Sequence, residues 1–267
     1  MSEYVFIRRD EHEKSGYLPL ANYSFAASNS LVPIINIELA SVIQHMPLAF
    51  QKFGVEGEER FNLVALQSFE PNQNLFLHPD GRWLVGYKPT FYREYPFALR
   101  PGEKPNQLQL VVAKEHLHNA EGERAVPFFK DGVMSSHMQD VLKFLGETTQ
   151  SRLNTLAICQ SLHEAGVISP WEIVFDGAEG TQKVLKGLYH IDMKALLALP
   201  ADKLAALNKS GALEVAYAQR LSETRLKDLT QLQEVHQKLK EQGKDNGKAA
   251  EVDLDKIFGE SDDLFSF

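Results

Sequence analysis

Residues 83–97 read W-L-V-G-Y-K-P-T-F-Y-R-E-Y-P-F, and this aromatic segment constrains the fold more than any other stretch of the chain. Six of its fifteen residues are aromatic, two are the prolines Pro89 and Pro96, and Arg93 lies among them. Proline fixes φ and lacks an N–H donor, so the segment cannot form one continuous helix or a central strand. We therefore expect a stiffened, irregular segment whose rings fill a core or line a binding surface.

Both interpretations of the aromatic segment remain open on the sequence. Core packing is the expectation for its last residues, Tyr95, Pro96 and Phe97. If the preceding rings are exposed, they form a surface on which the guanidinium of Arg93 can bind a carboxylate or a phosphate. Aromatic residues together with arginine are also typical of protein-binding hot spots. The partner-binding residues of that surface are then Tyr87, Phe91, Tyr92 and Arg93.

Composition limits the class of protein and the compartment. The chain has 267 residues, of which 43% are hydrophobic, and a net charge of −8. An acidic balance argues against a nucleic-acid partner, because such binding needs a basic surface. Cys159 is the one cysteine, so neither an internal disulfide nor a cysteine-based zinc site can form. The start M-S-E-Y-V-F-I-R-R-D has no apolar signal core, and we expect a cytoplasmic protein with no membrane span.

The order of secondary-structure patterns predicts an α+β fold. Residues 1–132 read as short strands and turns, and residues 133–240 are mainly helical with one β-hairpin. We expect these parts to form one globular region. The composition changes at residue 241, and residues 241–267 are predicted to be a flexible linker and a disordered acidic tail.

Individual elements follow from alternation, helical spacing and turn residues. Strands are predicted at residues 4–8, 61–67 and 108–114, and a hairpin at 171–175 and 183–189. A helix is predicted at 36–45, ending before Pro47. A second begins at a capping box of Ser136 and Gln139 and continues to about residue 163. The remaining helices are predicted at 193–197, 200–209 and 213–240.

The C-terminal tail combines acidic residues with apolar clusters. Residues 251–267 contain six acids and one base, so they contribute −5 of the net charge. Acidic segments with apolar anchors are typical of chains that fold onto a partner. The alternative is that the tail folds back onto its own domain. The apolar residues predicted to bind a partner are Ile257, Phe258, Leu264, Phe265 and Phe267.

Histidines suggest a second class of function. The sequence His78-Pro79-Asp80 contains the His-x-Asp part of a non-haem iron site, with a third ligand to come from another histidine. This predicts a metal-dependent oxygenase as the alternative to a binding protein. However, Pro-Asp-Gly at 79–81 is also ordinary turn chemistry. We therefore expect surface histidines on loops, with no metal and no cofactor.

The chain resembles the bacterial SapC family. The resemblance covers about residues 4–235 and depends on Y-S-F-A near Tyr23, on Glu38 followed by P-L-A-F, and on G-L-Y-H-I-D followed by L-N-K-S-G-A-L. Above all, the aromatic segment fits the family order, here Tyr87, Pro89, Arg93, Tyr95, Pro96 and Phe97. The resemblance implies an accessory protein of a modification or uptake system, or a component associated with a surface layer. It supplies no catalytic residues, and we expect a non-catalytic protein that engages a protein or peptide partner. The oligomeric state stays open.

Overall fold

The computed structural model describes residues 3–55, 57–102, 104, 107–120, 124–177 and 181–246, with the backbone alone at 240–246. The chain forms two compact units. Unit 1 comprises Met1–Ala21 and Thr90–Arg152, and unit 2 comprises Asn22–Pro89 and Leu153–Phe267. The chain therefore passes between the units three times, once within the aromatic segment.

Runs of strands and runs of helices follow one another in the described part of the chain, which confirms the α+β class. The strands are β1 (Tyr4–Phe6), β2 (Ser15–Tyr17), β3 (Leu31–Pro33), β4 (Leu48–Phe53), β5 (Arg60–Leu66), β6 (Phe97–Pro101), β7 (Leu108–Ala113), β8 (Leu117–Asn119), β9 (Val126–Pro127), β10 (Phe129–Lys130), β11 (Val133–Met134), β12 (Ile168–Asp176) and β13 (Gln182–Ile191). The helices are α1 (Arg9–His12), α2 (Leu39–Val42), α3 (Thr90–Glu94), α4 (Ser136–Glu164), α5 (Met193–Leu197), α6 (Ala201–Lys209), α7 (Ala212–Ser222) and α8 (Leu226–Asn246). None of the helices described has both the length and the apolar character needed to cross a membrane.

Unit 1 consists of antiparallel strands around an aromatic cluster. Strand β7 lies between β1 and β6, so that Val112 is opposite both Val5 and Phe97. Strand β2 lies between β8 and β9. Tyr17 meets Phe97 edge to face with ring centroids 4.7 Å apart, a favoured geometry for aromatic pairs. The buried members of the cluster are Tyr17, Phe97, Leu110, Val112, Phe128, Met138 and Leu145.

Unit 2 is organised around an antiparallel sheet with the strand order β12-β13-β4-β5-β3. Strands β4 and β5 pair from Leu48 opposite Ala65 to Phe53 opposite Arg60. The turn that joins them contains Gly54 with a φ of +100°, and a Cβ there would lie 2.6 Å from the carbonyl oxygen of Glu58. Glycine is therefore required at this turn.

Helix α7 is tied to the sheet of unit 2 by buried side chains. The backbone N–H of Ile191 donates to Gln219 Oε1 at 2.9 Å, and Gln219 Nε2 donates to the carbonyl of Leu48 at 3.2 Å. The N–H of Leu48 donates to Ser222 Oγ at 2.8 Å. Gln219 and Ser222 are both fully buried. One turn of α7 thus satisfies backbone groups of two neighbouring strands, which fixes the helix on β4 and β13.

Several predicted elements agree with the structure to within a few residues. The strands expected at 4–8, 61–67 and 108–114 correspond to β1, β5 and β7, and the expected hairpin is formed by the longer strands β12 and β13. The helix at 193–197 has the predicted bounds because Asp192 caps it, accepting hydrogen bonds from the N–H groups of Lys194 and Ala195.

Two predicted helix features are wrong. The helix expected at 213–240 is divided into α7 and α8 by a 3-10 turn at Glu223–Arg225. At this division the side chains of Ser222 and Glu223 contact Leu48 and His190 of the sheet. The capping box is also displaced: Ser136 is already helical, and the hydroxyl of Ser135 accepts from the N–H of Met138 at 3.4 Å.

Replacing Gln219 tests the connection between α7 and the sheet. We expect Gln219→Leu to lower the free energy of unfolding by about 2–4 kcal/mol, because it leaves a buried N–H and a buried C=O without their partner. The matched control is Gln237→Leu on the exposed face of α8, which should change stability by less than about 0.5 kcal/mol. Chemical denaturation measures both. Equal effects of the two substitutions would contradict this account of the Gln219 hydrogen bonds.

Candidate functional site

The aromatic segment is divided between the two units. Its first part, up to Pro89, belongs to unit 2, and its second part, from Thr90, belongs to unit 1. The segment contains the single helical turn α3 and ends in the first residue of strand β6. Each part therefore has its own surroundings and is described separately.

In unit 2, Tyr87 is held by hydrogen bonds. Its hydroxyl donates to Glu38 Oε2 at 2.9 Å, and its carbonyl accepts from the indole N–H of Trp83 at 2.8 Å. Glu38 is buried, and its other oxygen accepts from the backbone N–H of Ile35 at 3.0 Å. Buried carboxylates need such donors. Tyr87 thus supplies one hydrogen-bond donor to a buried acid whose role the sequence did not reveal.

In unit 1, helix α3 buries some residues and exposes others. Tyr92 is fully buried, whereas Phe91 is 41% exposed and Arg93 is exposed. The guanidinium carbon of Arg93 lies 5.2 Å from the ring centroid of Phe144 on α4, a cation–π geometry. Arg93 makes no ion pair or hydrogen bond to any residue that the structure describes. We call Phe91, Arg93 and Phe144 the aromatic–arginine surface.

The residues that follow Arg93 bind within unit 1. Glu94 accepts two hydrogen bonds from Arg152, both at 2.9 Å. The hydroxyl of Tyr95 donates to Glu115 at 2.9 Å, and its ring meets that of His116 edge to face. Phe97 belongs to the core cluster. Among the charged side chains of α3, Glu94 therefore has an ion-pair partner, and Arg93 has none among the residues that the structure describes.

The sequence-predicted binding residues thus have different surroundings. Phe91 and Arg93 are exposed, Tyr92 is buried, and Tyr87 donates a hydrogen bond to Glu38 in unit 2. The sequence did not point to Phe144 as a binding residue. It appears there only as one aromatic residue among the periodic apolar residues of α4. The predicted residues of the tail, 257–267, lie outside the part of the chain that the structure describes.

His78 and Asp80 bind each other. Nδ1 of His78 lies 2.9 Å from Asp80 Oδ1, and Arg82 Nε lies 2.7 Å from Asp80 Oδ2. The backbone N–H of Arg82 has the largest influence on the Asp80 carboxyl and, with the Arg82 and His78 side chains, lowers its pKa to about 2. Nowhere in the described ranges do three His, Cys, Asp or Glu side chains come together so that they could hold a metal ion.

Three other histidines that could have supplied the third metal ligand also have protein partners. In unit 1, the hydroxyl of Tyr17 lies 2.7 Å from Nε2 of His137, and Nδ1 of His116 lies 3.4 Å from the carbonyl of Leu18. In unit 2, Nδ1 of His190 lies 3.2 Å from Glu223 Oε1. Cys159 is buried, and desolvation raises the pKa of its thiol to about 12, which makes it a packing residue.

A match to a family model shows the family of this α+β protein. The SapC family model matches residues 7–229, which include Glu38 and the whole aromatic segment. The chain belongs to the SapC family. Neither a curated protein nor a solved structure matches the chain.

Removing the hydroxyl of Tyr87 tests its structural role. We expect Tyr87→Phe to lower the free energy of unfolding by about 1.5–3 kcal/mol, the usual contribution of a hydrogen bond to a charged group. Tyr217→Phe on α7 is the matched control, since this tyrosine is 45% exposed, and should change stability by less than about 0.5 kcal/mol. An unchanged Tyr87→Phe protein in denaturation experiments would show that Glu38 does not need this donor.

The lowered pKa of Asp80 predicts how the stability of the protein depends on pH. Because its pKa is lowered to about 2, its contribution is complete above the ordinary carboxyl range and is lost as the pH falls through about 2. The difference in free energy of unfolding between wild type and Asp80→Asn should shrink progressively below about pH 5, where the carboxyl of the unfolded chain begins to bind protons, and be lost near pH 2. Asp202→Asn, at an exposed site, serves as the control. A difference that already shrinks above pH 5 would contradict the lowered pKa.

Proposed function

We propose that this chain is a non-catalytic binding protein that engages a protein or peptide partner through the aromatic–arginine surface. The observation that supports it is Arg93, whose guanidinium contacts an aromatic ring and has no acidic partner in the described residues. An exposed arginine held on a ring is oriented to form a bidentate pair with a carboxylate. Its rotamer is restricted before binding, which lowers the entropic cost of association.

The partner should combine an acid with an apolar group. Phe91 is 41% exposed and lies two residues before Arg93 in α3, so the two side chains leave different sides of this helical turn. The proposed peptide passes around the turn, with an apolar side chain on Phe91 and a carboxylate on the guanidinium. Aromatic and arginine side chains contribute most of the energy at small protein interfaces. A short acidic peptide with an aromatic or aliphatic residue fits this surface.

The cellular setting is part of the proposal. The family resemblance supports an accessory role in a bacterial modification or uptake system, and a chain with a single cysteine suits a cytoplasmic location. The tail residues Ile257, Phe258, Leu264, Phe265 and Phe267 are proposed to engage a second partner, on the composition of the tail alone.

Selection of short random peptides displayed on phage tests the surface directly. We expect wild-type protein to enrich peptides that contain an acid next to an apolar residue. Arg93→Ala and Phe91→Ala should each weaken binding of the enriched peptides by about tenfold or more, the loss expected when one charged or aromatic contact is removed.

Arg100→Ala is the matched control for this experiment. Arg100 is also exposed in unit 1, and its guanidinium lies 5.4 Å from the ring centroid of Tyr4, yet no exposed aromatic residue precedes it on β6. Equal losses of peptide affinity for Arg93→Ala and Arg100→Ala would show that any exposed positive charge has the same effect, and would contradict a specific role of Arg93. Peptides enriched without an acid would contradict the role of Arg93. For the tail, a chain ending at Lys248 that co-purifies with the same proteins as the full chain would contradict its proposed role.

A further inference from the structure

A cavity in unit 2 has no part in the proposed peptide binding. Its volume is about 380 Å³, and it lies where strands β12 and β13 meet the start of α5 and the end of α7. Six of its eight lining residues are polar or charged. The eight are Ser169, His190, Ile191, Asp192, Met193, Lys194, Arg220 and Glu223.

The two acids of the cavity are engaged within the protein. Asp192 Oδ1 accepts from the N–H groups of Lys194 and Ala195 at 2.9 and 3.1 Å. Glu223 Oε1 accepts from Gln219 Nε2 and contacts His190 Nδ1, both at 3.2 Å, and its Oε2 pairs with Arg220. Both carboxylates therefore have hydrogen-bond donors supplied by the fold, and neither needs an external cation.

His190 is held in one orientation at the cavity. Glu223 lies on its Nδ1 side, and the indole of Trp171 stacks against the imidazole with ring centroids 5.3 Å apart and planes within 3°. A carboxylate at Nδ1 places a proton on that nitrogen, so Nε2 is the nitrogen left to bind a ligand. The side chain is 29% exposed, and solvent therefore reaches it.

The groups without a protein partner are almost all potential donors. The Lys194 ammonium, the Ser169 hydroxyl and His190 Nε2 make no hydrogen bond or ion pair to the residues that the structure describes. Ser169 is directly opposite His190 in the pairing of β12 and β13, so their Cβ atoms lie on one face of the sheet. Arg220, 52% exposed, supplies further N–H groups.

We propose that this cavity binds the anionic group of a small ligand, either a carboxylate or a phosphate. Lys194 supplies a positive charge that no described acid pairs, and Arg220, which also pairs with Glu223, supplies further N–H donors. Ser169 supplies a hydroxyl donor, and His190 supplies another donor when it is protonated. A cavity of this volume admits a ligand of metabolite size. The inference concerns unit 2 alone and does not depend on the aromatic–arginine surface.

The test is NMR titration of full-length protein with labelled histidines. The two probes are inorganic phosphate and succinate, which separate the two kinds of anion. We expect a saturable shift of the His190 signals with at least one probe. Lys194→Gln should weaken that binding about tenfold, the expected loss for one charge-assisted hydrogen bond, and Ser169→Ala should weaken it about threefold or more.

Lys203→Gln is the matched control, because Lys203 is an exposed lysine on the neighbouring helix α6 and does not line the cavity. It should leave the affinity within about twofold. Shifts of His190 that stay linear with the concentration of both probes would overturn the proposal. So would equal weakening by Lys194→Gln and Lys203→Gln. Arg93→Ala should retain the binding, which separates this site from the proposed peptide surface.

Discussion

The two hydrogen bonds of the Gln219 side-chain amide are the interactions on which unit 2 depends. Strands β13 and β4 pair at Leu188 with Gln51 and at Tyr189 with Phe50. Continuing this register would place Ile191 opposite Leu48, and these are the residues whose N–H and C=O bind the Gln219 amide. The side chain thus replaces a ladder hydrogen bond with two of its own. Helix α7, the sheet and the Glu223 that orients His190 are all positioned through this residue.

The parts of the fold that could be predicted are those governed by local pattern. Strand β7 shows the apolar run of a buried strand, and α5 follows an aspartate that caps it. The division of the last long helix could not be predicted, because it depends on Ser222 and Glu223 binding a sheet built from distant residues. The buried side of α4 could not be predicted in full either, because it includes the polar residues Thr148, Ser151 and Thr155. Thr155 accepts from the N–H of Asn36, a contact between residues far apart in sequence.

The candidate functional site, like the fold, could be predicted only where local sequence pattern governs it. Composition identified the aromatic segment, and its prolines predicted that it would be neither one helix nor a central strand. The sequence could not say which rings face outward, because that depends on the single turn α3 and on the passage of the chain from unit 2 to unit 1 at Pro89. Phe144 could not be assigned to Arg93, since the two are brought together only by the packing of unit 1.

The division of the chain between the units has a consequence for synthesis. Unit 1 uses Met1–Ala21 and Thr90–Arg152, so all of its residues have been made once Arg152 is added. At that moment β3, β4 and β5 still lack β13 and α7, because these elements are encoded after residue 180. Domains generally fold as units during translation. Unit 1 can therefore fold while residues 22–89, the first part of unit 2, still lack the second part of that unit. The sheet of unit 2 is completed only after its C-terminal half has been made, when Gln219 can join β4 to β13.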